Sequence, residues 1–156
     1  AFFLTTFIIA NSRVPSGSME NTIMTGDRVI GSRLSYKFHD PERGDIAIFH
    51  FPDDPTGETL YVKRVIGRPG ETVDIVDGQV YINGEALDEP YIREPMDPEE
   101  PMHFEVPEGC YFMMGDNRNY SSDARYWQNH YVEKDQIIAK VLFRYFPFSN
   151  ISWLDD

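Results

Sequence analysis

Short runs of β-branched and aromatic residues, separated by glycine- and proline-bearing turns, set the pattern of this chain. The turn signals are Thr25-Gly26-Asp27, Arg43-Gly44-Asp45, Arg68-Pro69-Gly70, Asp77-Gly78, Asn83-Gly84 and Pro107-Glu108-Gly109. Between them the apolar runs predict strands over residues 28–32, 46–51, 60–66, 72–76, 79–82, 110–114 and 137–145. Asp77-Gly78, set between Ile75-Val76 and Val80-Tyr81-Ile82, predicts a tight hairpin, because a type I′ turn needs positive φ at both central positions. No stretch sustains the apolar period of a helix for long, so the pattern predicts an all-β or mainly-β fold with few, short helices.

Two regions depart from that rhythm. The segment carrying Pro90, Pro95, Pro98, Pro101 and Pro107 excludes a central strand, and predicts an irregular excursion or small β extension around residues 83–109 of a single domain, 1–156. The first ten residues are strongly apolar but far short of the ~20 needed to span a bilayer. Rich in Phe, Ile and Thr, with no Met or basic stretch before them, they read as a buried strand of a chain trimmed from a longer one.

Composition narrows the function classes. A formal net charge of −12, from 26 acidic and 14 basic residues, argues against a phosphate-tracking surface and hence against nucleic acid as a partner. Asp97, Glu99, Glu100, Glu105 and Glu108 read as a solvated acidic loop without chemistry. The lone Cys110 excludes an internal disulfide and reads as a packing residue. His39, His50, His103 and His130 stand in no zinc or protease motif, so neither a metal nor another cofactor is expected.

Three segments hold chemistry. Val14-Pro15-Ser16-Gly17-Ser18-Met19 places two hydroxyls on a glycine-bearing turn, where a nucleophile needs both a neighbouring base and an oxyanion hole. In Leu60-Tyr61-Val62-Lys63-Arg64-Val65-Ile66, alternation puts Tyr61, Lys63 and Val65 on one face and Arg64 on the other, so one of the two cations should point inward. Burial disfavours the ammonium form and lowers a lysine towards the range useful for a general base. After the strand at 110–114 comes a polar loop holding Asp116, Asn117, Arg118, Ser121, Asp123 and Arg125, able to hydrogen-bond itself into a scaffold.

These segments, in this order, resemble the sequence boxes of bacterial type I signal peptidases, the Ser-Lys serine proteases: Pro15-Ser16-Gly17-Ser18-Met19, then Tyr61-Val62-Lys63-Arg64-Val65-Ile66-Gly67 with Arg68-Pro69-Gly70, then Gly115-Asp116-Asn117-Arg118 with Ser121, Asp123 and Arg125. Gly26-Asp27 and Gly44-Asp45 add supporting matches. The resemblance implies Ser18 as nucleophile and Lys63 as general base. The Ser18 backbone N–H and the Ser16 hydroxyl would form the oxyanion hole. Ser121 would orient the Lys63 amine, Asp123 and Arg125 would form a supporting ion pair, and Asp116 and Asn117 would shape the loop. It also implies a fold of antiparallel sheets and cleavage of signal peptides from secreted preproteins after small residues. An N-terminal anchor in the bacterial cell membrane, an outward-facing catalytic domain and contact with the lipid bilayer surface follow from the same likeness. Asn21 replaces a usual proline and Ala124 a common serine.

Two other readings compete. A self-cleaving repressor-type protease shares the Ser-Lys chemistry but is not expected to carry the Gly115-Asp116-Asn117-Arg118 loop. A non-catalytic β-rich binding module would leave Ser18 in a loop and Lys63 at the surface.

Overall fold

The architecture is that of a computed structural model that describes residues 8–13, 19, 28–32, 35–92, 94–146 and 152–153. Ser16, Ser18, Asn21, the Gly26-Asp27 turn and residues 1–7 lie outside the described residues. In chain order the elements are β1 (Ile8–Arg13), β2 (Arg28–Ser32), α1 (Ser35–Phe38), β3 (Ile46–His50), β4 (Leu60–Gly67), β5 (Thr72–Val76), β6 (Gln79–Ile82), β7 (Glu85–Ala86), β8 (Met102–Glu105), β9 (Cys110–Met114), β10 (Val132–Glu133), β11 (Ile137–Phe146) and β12 (Ser152–Trp153). Every pairing among the described strands is antiparallel. The protein is mainly β, as the periodicity predicts.

The larger sheet runs β1-β2-β11-β3-β4-β9-β10, with β12 added beside β11. Its centre is buried on both faces, in keeping with the four consecutive apolar residues Ile46, Ala47, Ile48 and Phe49 of β3. Ile46 and Ile48 pack with Met19, Ala139 and Val141 on one side, while Ala47 and Phe49 join the main core on the other. A smaller sheet, β7-β6-β5-β8, grows from the end of β4. Its hairpin turn has φ of +50° at Asp77 and +77° at Gly78, the pair of positive values a type I′ turn demands. The register Val73↔Ile82 and Ile75↔Val80 lines up four apolar side chains on one buried face.

Hydrophobic pattern alone misses the shortest elements. β7, β10 and β12 are two-residue strands, and β8 lies between Pro101 and Pro107 with only Phe104 fully in the core. Their identity comes from the partners they lie beside, as Val73↔Phe104 does for β8. The described residues between 87 and 101 include no strand, and Glu89, Tyr91 and Asp97 among them reach the larger sheet and the loop after β9.

Where the sheets join, Gly67 leaves no room for a side chain. An added Cβ there would sit 2.8 Å from Val73 Cγ2 and 3.0 Å from Phe112 Cβ.

Candidate active site

β4 is flanked on its edges by β3 and β9, and its second half is buried on both faces by what packs above and below the sheet. The register Ala47↔Lys63 and Phe49↔Tyr61 places Lys63 on the same face as Tyr61. There an aromatic group excludes solvent: Tyr61 stacks on Phe51 at 4.4 Å, and Trp127 stands 5.7 Å from Tyr61 and 5.9 Å from Phe49. Lys63 is only 4% exposed, and its Nζ lies 5.3 Å from the Tyr61 ring centroid.

Arg64 is buried as well, so both cations are withdrawn from water where alternation leads one to expect a single inward-pointing cation. Its face of β4 is covered by the loop after β9 and by residues 89–91. Asp116, with no exposed surface, accepts from Arg64 Nε at 2.9 Å and from Nη2 at 2.7 Å, and the Gly44 carbonyl accepts from Nη1 at 2.7 Å. Tyr91 stacks on the guanidinium at 4.0 Å. A buried guanidinium is tolerated when its donors are met in this way.

The loop after β9 is a self-bonded scaffold. The Asp123 carboxylate accepts from Gly115 N at 3.0 Å, Arg125 N at 3.2 Å, Arg125 Nε at 2.8 Å and Arg125 Nη2 at 2.9 Å. Arg125 Nη2 also donates to the Arg118 carbonyl at 2.7 Å, and Ala124 N to the Met113 carbonyl at 3.0 Å. Ala124 is fully buried in the main core, so the residue found there in place of a serine meets apolar neighbours. Asn117 is buried, and its carbonyl accepts from Tyr120 N at 2.9 Å, closing a single 3-10 turn over Arg118–Tyr120. Asp116 N donates to Met19 Sδ at 3.3 Å, which ties the segment after Ser18 to this loop. Ser121 is buried, and its Oγ has no hydrogen-bond partner among the described residues.

Electrostatics single out Lys63. Burial lowers its pKa from the ordinary 10.5 to about 8, with Asp123 pulling upward and Arg125 adding a smaller downward push. Desolvation wins because the Asp123 carboxylate is already engaged by Arg125. The folded value lies below the unfolded one, so the unfolded chain binds more protons between pH 8 and 10.5. The stability penalty of this burial is therefore complete below about pH 8 and disappears as pH rises through 10.5. Lys63→Met should melt at a higher temperature than the parent below pH 8, with the difference shrinking steadily towards pH 10.5. A pH-independent difference in thermal melts would contradict a depressed lysine.

The structure brings Lys63, Asp123 and Arg125 within electrostatic reach of one another and joins Asp116 to Arg64. Arg64, Glu89 and Tyr91 are structural partners that sequence reasoning misses. For Arg64 a signal exists, since two adjacent cations in a central strand must both be accommodated. Glu89 and Tyr91 lie in the proline-rich stretch, where no periodicity announces them.

The family model described as "Signal peptidase, peptidase S26" matches residues 1–146. Signal peptidase I of Leptolyngbya laminosa is 38% identical over 99% of this chain and 77% of its own length. Probable signal peptidase I-1 of Synechocystis is 43% identical over 92% of this chain and 74% of its own. The crystal structure of a signal peptidase I from Enterococcus faecalis, 32% identical, superposes with a TM-score of 0.54 over 65% of this chain and 97% of that one.

Proposed function

Since the chain belongs to the peptidase S26 signal peptidase family, we propose that it is a serine endopeptidase that removes signal peptides from preproteins with Ser18 as nucleophile and Lys63 as general base. The observation that carries the reading is the buried lysine held near pKa 8 beside a rigid polar loop. Met19, which follows Ser18 in the chain, is buried against Ile46 and Ile48 on the Arg64 face of the sheet, the face opposite Lys63.

In the first step neutral Lys63 Nζ takes the Ser18 hydroxyl proton as Oγ attacks the scissile carbonyl. The carbonyl oxygen becomes an oxyanion, received by the Ser18 N–H and the Ser16 hydroxyl. Collapse expels the new N-terminal amine of the mature protein, which takes the proton from Lys63. Water, deprotonated by the same lysine amine, then hydrolyses the acyl ester and restores Ser18. Asp123, Arg125, Asp116 and Asn117 hold the loop beside the Lys63 amine, and Ser121, whose Oγ makes no hydrogen bond among the described residues, would orient that amine only by turning its hydroxyl towards it during the reaction. These steps call for neither metal nor cofactor. The substrates are secreted preproteins cut after small residues, met at the surface of a lipid bilayer on the extracytoplasmic face of a bacterial cell membrane.

Cleavage of a synthetic preprotein, with the mature N-terminus identified by mass spectrometry, tests the activity. The kcat/KM profile should rise from acid with an apparent pKa near 8, belonging to the Ser18–Lys63 pair as a unit. Ser16→Ala should lower kcat by roughly a hundredfold or more with little change in KM. A rise in KM alone would assign Ser16 to the ground-state substrate instead.

A further inference from the structure

The stretch after β7 makes side-chain contacts with both arginines that border the proposed site. Tyr91 lies 4.0 Å from the Arg64 guanidinium and 6.0 Å from that of Arg118, measured to its ring centroid. Its hydroxyl donates to Glu89 Oε2 at 3.1 Å. Glu89 in turn accepts from Arg118 Nη1 at 3.0 Å, and both side chains of that ion pair are nearly inaccessible to solvent. Arg118 Nε donates to the Gly115 carbonyl at 2.8 Å, at the point where the chain leaves β9. Arg64, the neighbour of Lys63, is bonded through Asp116 to the same turn. One continuous buried network thus runs from Tyr91 and Glu89 to the strand that carries the lysine and to the loop that faces it.

Resting on the Ser18–Lys63 reading above, we propose that Glu89-Pro90-Tyr91 is a positioning element for catalysis: Tyr91 acts through Arg64 to fix β4 beside Lys63, and Glu89 acts through Arg118 to fix the Gly115-Asp116 turn. Pro90 suits this role, since it restricts its own φ and keeps Glu89 in extended backbone, which sets the spacing of the two side chains in advance. Burial, and then the nearby Glu89, hold the Tyr91 hydroxyl well above the usual tyrosine range, so it stays a donor. Both residues act at a distance from the scissile bond. Their loss should therefore misplace the reacting groups, a displacement to which rates are far more sensitive than binding is.

The full chain is assayed on a preprotein, at a temperature where circular dichroism shows each variant folded. Tyr91→Leu should lower kcat about tenfold or more, with KM within about twofold. Tyr91→Phe keeps the ring over Arg64 and should stay within about threefold of the parent kcat. Glu89→Gln should also lower kcat, and adding it to Arg118→Met should cause no further loss, because the two act as one unit. A Tyr91→Leu kcat within about threefold of the parent, or Glu89 and Arg118 effects that multiply independently, would overturn the proposal. Should Glu89→Gln fail to fold, the Tyr91 pair decides alone. Ser18→Ala and Lys63→Ala run alongside: full activity in those two defeats the dyad itself, whereas inactive dyad variants with an unimpaired Tyr91→Leu defeat only the positioning role.

Discussion

Ser18→Ala and Lys63→Ala should each lower preprotein cleavage by on the order of 10⁴-fold or more while leaving the far-ultraviolet circular dichroism unchanged. A serine hydroxyl is a weak nucleophile until a base removes its proton, so either loss disables the same step. The double variant should then be no slower than the slower single. Lys63 is the more telling position, since its amine is buried beside Tyr61 and depressed to about 8, which makes it largely deprotonated only on the alkaline side of neutrality. Near-parental turnover in folded Lys63→Ala would leave the serine without its proposed base and return the chain to the competing reading of a binding module.

The second large effect should fall on stability, at Asp123. Its carboxylate meets four donors, among them two on the Arg125 guanidinium, and it has no exposed surface. Asp123→Ala strands a buried guanidinium and the Gly115 N–H, a loss of about 3–5 kcal/mol. For a domain of this size that corresponds to a fall in Tm of roughly 10 °C. A calorimetric change below about 1 kcal/mol would mean that water replaces the carboxylate. Asp123→Asn has a further consequence. It removes the charge that raises the Lys63 pKa while Arg125 continues to lower it. The acid limb of the activity profile should therefore move to lower pH in whatever fraction stays folded.

Much of the fold is legible in the order of residues along the chain. β2, β5, β6 and β9 have the bounds that β-branched runs and turn residues predict, and β3, β4 and β11 differ by a residue at one end. Local chemistry governs these elements: the type I′ turn at Asp77-Gly78 forces the hairpin, and the apolar run of β3 demands burial on both sides. The family resemblance is legible for a similar reason, being carried by contiguous motifs. The two-residue strands are not, because a short polar segment becomes a strand only when a neighbour supplies the ladder.

By itself the sequence determined a mainly-β chain, the serine turn, a lysine inside an apolar strand and a polar loop rich in paired charges. Only the tertiary structure decided which charge meets which. Arg64 and Asp116 are 52 positions apart, and Arg118 and Glu89 are 29 apart. No propensity or periodicity relates residues at such distances. The depth of Lys63 was likewise settled by its neighbours, because alternation assigns a side chain to a face, and only the elements packed on that face determine whether it is wet or dry. That difference separates an ordinary surface lysine from one whose pKa lies near 8.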